Sequence, residues 1–303
     1  MYLFLDRLVD YMPRKISRRT LLKRTFGTLF TLIAAGTGVY YYARDVEPKL
    51  LEVNRHSISH SLIPRGFDQF KMVQFTDTHL GFQYTIEQLK KLVERINRLE
   101  PDIVFFTGDL MDQPNKYMES SKIAPILQKI EAPYGKFAVY GNHDHGGYGT
   151  DLYRNIMESC GFVLLQNESR EIKLLDGSSI YISGLDDALL GKPNLRQTAN
   201  TLPADTFNIL LSHEPDIALQ AAVYNIHLQL SGHSHGGQVR IPLYGALYTP
   251  PLSDIYHAGL YEIDNTLPFL LYVNRGLGTT RLPFRFLSKP EITLFTLTSL
   301  HNK

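Results

Sequence analysis

From Phe70 to Leu297 the chain alternates short runs of β-branched, leucine and aromatic residues with segments whose apolar residues recur at helical spacing, and turn residues stand at each change. That order, strand then helix then strand, restricts the fold class to α/β. The runs predict strands over Phe70–Thr76, Ile103–Thr107, Phe137–Tyr140, Ile180–Ser183, Phe207–Leu211, Leu228–Leu230, Leu270–Val273 and Ile292–Leu297. Between the first two, Ile86, Leu89, Leu92, Val93, Ile96 and Leu99 share one face, and Thr85 with Gln88 resembles a capping box, so Thr85–Leu99 is a crossover helix. Further helices are expected near Ser121–Lys129, Asp151–Cys160 and Asp216–Ala222. With 303 residues, 44% of them apolar, there is material for one large domain or two small ones.

The polar residues bearing on function stand at the ends of these runs. Asp77 and His79 follow the first, Asp109 the second, Asn142 the third, His213 the fifth, and His233 and His235 the sixth. Ligands of open α/β sheets gather outside the carboxyl ends of strands, so five separate segments are expected to deliver one cluster. Two carboxylates, four imidazoles and a carboxamide, with no thiolate, suit Mn, Fe or Zn rather than Ca. These groups exceed what one ion with an open position needs. Two ions sharing a carboxylate use them naturally, with a hydroxide held between the ions as nucleophile for attack on phosphorus.

Taken singly, several pieces have bland explanations. Asp77-Thr78-His79 alone is a polar loop, Ser212-His213-Glu214-Pro215 alone a helix entry, and Asp112 a loop or capping residue. Gly141-Asn142-His143-Asp144 and Gly232-His233-Ser234-His235-Gly236-Gly237 have little reason to occur in a core, and the joint order points to a dinuclear site. Composition excludes other classes. The 31 basic and 30 acidic residues nearly cancel, so no nucleic-acid partner is expected, and the single cysteine, Cys160, permits neither an internal disulfide nor a zinc–thiolate site.

The set D-x-H, G-D-x-x-D, G-N-H-D, an isolated histidine and G-H-x-H is similar to the calcineurin-like metallophosphoesterase superfamily. Gly236-Gly237-Gln238, Asn274-Arg275-Gly276-Leu277-Gly278 and the front of the chain look like its YkuE-type branch. The resemblance implies a four-layer α/β/β/α sandwich of mixed sheets. It further implies one metal held by Asp77, His79, Asp109 and His235, and a second by Asp109, Asn142, His213 and His233, with Asp109 as bridge. His143 would stabilise the transition state or protonate the leaving oxygen, and Asp144 would orient its ring. Arg275 is a candidate for substrate phosphate, with a structural arginine as the alternative. Pro242–Pro251 and Leu282–Phe286 read as loop packing, with a groove for an apolar substrate as the alternative.

At the front, Arg7, Arg14, Lys15, Arg18, Arg19, Lys23 and Arg24 precede an uncharged stretch from Thr25 to Ala43, and charges resume at Arg44. Ser17-Arg18-Arg19-Thr20-Leu21-Leu22-Lys23 resembles a twin-arginine export signal, with Leu21 where phenylalanine is usual. The expected division is residues 1–43 as signal or N-terminal membrane anchor, 44–68 as linker, and 69–303 as catalytic domain. The expected activity is hydrolysis of a phosphomonoester, phosphodiester or pyrophosphate outside the cytoplasmic membrane, in association with membrane or cell wall after passage through the twin-arginine translocase. Manganese is the expected metal, ahead of Fe or Zn. The alternatives are a UDP-2,3-diacylglucosamine-type pyrophosphate hydrolase acting on a nucleotide-linked lipid, and a metal-binding envelope protein with no turnover.

Overall fold

The computed structural model describes residues 17–146, 150–263 and 269–300. The chain divides into two units, residues 1–42 and 43–303. In the first, helix α1 (Arg18–Tyr41) starts at the arginine pair: Ser17 is its N-cap, and its hydroxyl oxygen accepts from Thr20 N at 3.1 Å. Thr25, Thr31 and Thr37 turn their hydroxyls back onto carbonyls four residues earlier, at 2.9–3.0 Å. Among the described residues no helix is long and apolar enough to cross a membrane. Arg7, Arg14 and Lys15 lie outside the described residues.

In the second unit the elements are, in chain order, β1 (Glu52–His60), β2 (Lys71–Phe75), α2 (Ile86–Asn97), β3 (Ile103–Phe106), α3 (Ile123–Leu127), β4 (Lys136–Ala138), α4 (Asn142–His145), α5 (Thr150–Ser159), β5 (Phe162–Leu164), β6 (Glu168–Lys173), β7 (Ser179–Gly184), α6 (Leu195–Ala199), β8 (Asn208–Leu211), α7 (Ala218–Ala221), β9 (Leu228–Ser231), β10 (Arg240–Ile241), β11 (Gly245–Ala246), β12 (Gly259–Ile263), β13 (Phe269–Val273) and β14 (Glu291–Ser299). One six-stranded sheet runs β1-β14-β2-β3-β4-β5 and the other β12-β13-β9-β8-β7-β6, and both mix parallel and antiparallel pairs. The short β10–β11 hairpin stands apart from them.

Strand alternation builds the layers. In β3, Ile103 and Phe105 point between the sheets, where they meet Ile182, Ile209 and Leu230. Val104 and Phe106 point the other way, onto Leu89, Val93 and Ile96 of α2. On the far face of the second sheet, Leu210, Leu271 and Val273 pack on Ala218 and Ala221 of α7. The result is the expected four-layer α/β/β/α sandwich. A buried polar contact ties the sheets together near the strand ends: Gln74 Nε2 donates to Ser231 O and to Thr107 Oγ1, each at 3.0 Å.

Residues 44–68, read from sequence as a linker, contain β1, which pairs in parallel with β14 along its whole length from Glu52↔Glu291 to His60↔Ser299. One edge of β1 is open and only Ile58 along it is buried, so it carries no apolar run to announce it. The helices at Ser121–Lys129 and Asp216–Ala222 each begin with a 3-10 turn, Ser120–Lys122 and Pro215–Ile217. Because Phe105 is fully buried between the sheets, Phe105→Ala is expected to lower unfolding free energy by about 3–5 kcal/mol. Urea titration followed by circular dichroism checks this, and a loss below about 1 kcal/mol would contradict the packing described.

Candidate metal centre

The seven groups at the strand ends meet over the two sheets. The loops leaving β2 and β3 are laced together: Asp77 N donates to Gly108 O at 2.9 Å, His79 N to Asp109 O at 3.2 Å and Leu80 N to Leu110 O at 2.9 Å. Asp77, His79, Asp109, His233 and His235 all have left-handed backbone, with φ between 42° and 68°, a region that non-glycine residues seldom enter. Glycines permit the approach. A Cβ on Gly232 would stand 2.3 Å from Asp77 Oδ2, and one on Gly108, itself at φ +97°, would stand 2.6 Å from Gly141 N.

Each imidazole sets one ring nitrogen against a polar neighbour and turns the other inward. His79 Nδ1 lies 3.3 Å from Asp112 Oδ1. His213 Nδ1 meets Thr107 O at 2.6 Å, and His233 Nε2 meets Pro251 O at 2.9 Å. His235 Nδ1 lies 3.5 Å from Arg285 Nη2. The inward atoms converge: His79 Nε2 and His235 Nε2 are 3.0 Å apart, and His213 Nε2 and His233 Nδ1 are 3.2 Å apart. Asp109 Oδ2 sits 3.4 Å from His79 Nε2 and 3.3 Å from His213 Nε2, between the two pairs. Asp77 Oδ1 lies 3.4 Å from His235 Nε2, and its carboxylate also accepts from His233 N.

Burial raises the Asp109 carboxyl, but His213, His143 and His79 together pull it well below the ordinary range. Burial also works against the charge on His213, which Asp109 and Asp77 nonetheless push well up. Its neighbour His233 is driven down to about 3 by burial and then by His213. Such a cluster of inward lone pairs fits divalent cations. A further sign is the Asn142 carboxamide oxygen, which is buried and has no hydrogen-bond partner. Asp77, His79 and His235 form one group with metal-binding spacing, Asp109, His213 and His233 a second, and His79, Asp109 and His143 a third.

A family model described as calcineurin-like phosphoesterase matches residues 70–237, which span the whole cluster. The chain belongs to that family. It is similar to the uncharacterized metallophosphoesterase YkuE of Bacillus subtilis, with 49% identity over 94% of this chain and 99% of that protein. An uncharacterized metallophosphoesterase of Aquifex aeolicus is 30% identical over 88% of this chain and 97% of its own length. A protein named UDP-2,3-diacylglucosamine pyrophosphatase LpxG, from Chlamydia trachomatis, is 28% identical over 88% and 95%. As a member of the family the chain is a phosphoester hydrolase, which sets aside the envelope protein without turnover, and its cluster is compatible with a dinuclear centre.

Two expectations about individual residues need correction in this metallophosphoesterase. The Asp144 carboxylate does not orient the His143 ring by a hydrogen bond; it accepts from the backbone N–H groups of Asp109, Leu110 and Gly141 at 2.8, 3.0 and 2.9 Å. Position 144 is the third residue of α4, so its side chain folds back over the start of that helical turn. Burial, then the charge of Asp109, push its carboxyl up to about 7 against those three donors. The His143 ring is held instead by the Asp112 carbonyl, 2.7 Å from Nδ1. Arg275 is engaged by Glu52 and Glu291 and lines a recess other than the one over the metal cluster, so it is a structural arginine.

Asp112, read from the sequence as a loop or capping residue, and Arg285, which the sequence does not single out, both stand against the cluster. Asp112 touches both His79 and His143, and the second aspartate of G-D-x-x-D was its signal. Arg285 is fully buried behind His235 and donates to the carbonyls of Gly278, Ser288 and Arg275; burial brings its guanidinium down to about 10. No sequence signal marks it. Asp144→Ala is expected to strand three buried donors and lower unfolding free energy by about 3 kcal/mol or more, whereas Asp144→Asn keeps an acceptor oxygen and loses less. Equal losses in urea denaturation would refute this role for the carboxylate.

Proposed function

We propose that Asp77, His79, Asp109 and His235 hold one divalent cation and Asp109, Asn142, His213 and His233 a second, and that the pair serves hydrolysis of a phosphate ester or pyrophosphate outside the cytoplasmic membrane. The observation that carries this is the position of Asp109 Oδ2, within 3.4 Å of inward nitrogens on either side of it. Manganese is the proposed metal, and Fe or Zn suit the same nitrogen and oxygen donors. Two such cations supply charge neutralisation at the phosphoryl oxygens and water of lowered pKa. His143 is the proposed acid. With Nδ1 committed to the Asp112 carbonyl, Nε2 is the atom left to give a proton to the leaving oxygen. The backbone N–H of His143 donates to Asp109 Oδ1 at 2.9 Å, which couples the position of the acid to that of the shared carboxylate.

The assay is a panel of phosphate esters with purified protein and added Mn, alongside measurement of bound metal. Asp109→Ala is expected to hold less than the full complement of metal and to be inactive. His143→Ala is expected to keep its metal while kcat falls by about 10²–10⁴-fold. Undiminished turnover in both variants would sink the assignment.

The arginine pair that opens α1 supports the export half of the proposal: residues 1–43 act as a twin-arginine signal, and the cluster is metallated in the cytoplasm before crossing. Changing Arg18 and Arg19 together to lysine is expected to strand the protein in the cytoplasm, as read by cell fractionation. Mass spectrometry of the exported wild type then shows whether residues 1–43 remain as an anchor. Continued export of the double variant would rule out this route.

A further inference from the structure

Two recesses open from the cluster, and charged and amide side chains are concentrated in the second. One, of about 380 Å³, has Asp109, His233 and His235 at its base, and its walls carry Leu189, Val239, Leu247, Tyr248, Pro250 and Leu282. The other, of about 370 Å³, is lined by Asp112, Gln113, Asn115 and Lys116 together with Pro114 and Leu190. Asn142 and His143 line both, so the two recesses adjoin at the proposed acid.

The apolar walls come from two segments that hydrogen bonds tie to one another as a built surface. Gln238 Nε2 donates to Thr280 O at 2.9 Å and its Oε1 accepts from Thr280 N at 3.0 Å. Arg281 Nη1 donates to Tyr248 OH at 2.8 Å, and its guanidinium lies 5.5 Å from that ring's centre. Leu247, Tyr248 and Leu282 nevertheless remain 54%, 55% and 58% exposed beside a charged cluster. Large apolar side chains held in water at the mouth of a site mark a surface that a ligand covers.

We infer that the substrate is a phosphodiester or pyrophosphodiester whose phosphorus centre joins an apolar group to a polar one, the apolar group lying along Leu247, Tyr248 and Leu282 and the polar group beside Gln113 and Lys116. This rests on the hydrolase reading above and narrows it. A phosphomonoester fills one recess only. In the reaction the oxygen of water bonds to phosphorus and one P–O bond breaks. The departing oxygen takes a proton, so a diester yields one alcohol and one phosphomonoester, and a pyrophosphodiester yields two phosphomonoesters. His143, lining both recesses, can serve a leaving group on either side.

The test uses glycerol alkyl phosphodiesters with chains from methyl to octyl, the matching alkyl monophosphates, and the Mn-loaded full chain. KM for the diesters is expected to fall by up to about fourfold for each methylene added until the recess is filled, and diesters should be turned over faster than monoesters. Leu247→Asp and Leu282→Asp, both at exposed positions, are expected to flatten the chain-length series, and Lys116→Ala to raise KM for every diester by a similar factor. Calorimetric binding of octylphosphonate against methylphosphonate separates the two proposals. Preferential binding of the octyl compound with no hydrolysis of any ester would overturn the hydrolase assignment while supporting the apolar recess. A KM independent of chain length, equal binding of the two phosphonates, or faster turnover of monoesters would overturn this inference.

Discussion

Asp77, His79, Asp109, His233 and His235 present their donors from a backbone conformation that costs on the order of 1–3 kcal/mol at each residue. The conformation is tolerated because the surroundings leave no alternative. The loops after β2 and β3 are hydrogen-bonded along their length, the Asp144 carboxylate gathers two N–H groups of the loop after β3 together with that of Gly141, and His233 N is fixed by Asp77. Strain and fixation together hold like-natured ring nitrogens near 3 Å from one another, which no relaxed core would choose. The four layers behind it are needed to supply that rigidity, with Gln74 bridging the sheets directly beneath.

Legibility in the sequence followed burial. The eight strands expected from apolar runs are β2, β3, β4, β7, β8, β9, β13 and β14, which are the inner strands of the two six-stranded sheets. The four missed main-sheet strands, β1, β5, β6 and β12, are their edges. An inner strand covered on both faces must be apolar almost throughout, whereas an edge strand such as β6, Glu168–Lys173, with Ile172 alone buried, is written largely in polar residues and takes its conformation from its neighbour. Helix α2 was legible for a local reason: its capping box is made as the sequence implied.

The donor atoms of the cluster were legible because each is a polar side chain placed abruptly at the end of an apolar run. What holds those donors was less so. Two of the four ring tethers are main-chain oxygens, those of Thr107 and Pro251, which leave no mark on residue identity. The direction of Asp144 depends on the turn of α4, and the capture of Arg275 depends on Glu52, far away in the chain and in a strand that was not foreseen. Chemistry at the centre is thus written in side chains, and its alignment in tertiary structure.

The pairing of β1 with β14 joins the first strand of the sandwich to the last. While the chain is being made, β1 emerges early and has no partner, and β2, beside which β14 must insert, keeps an open edge until the final residues appear. Closure is therefore a late, long-range event, of the kind that slows folding and leaves strand edges available for wrong pairing in the interval. Any partner that engaged the emerging chain at once would therefore meet an unfinished sheet.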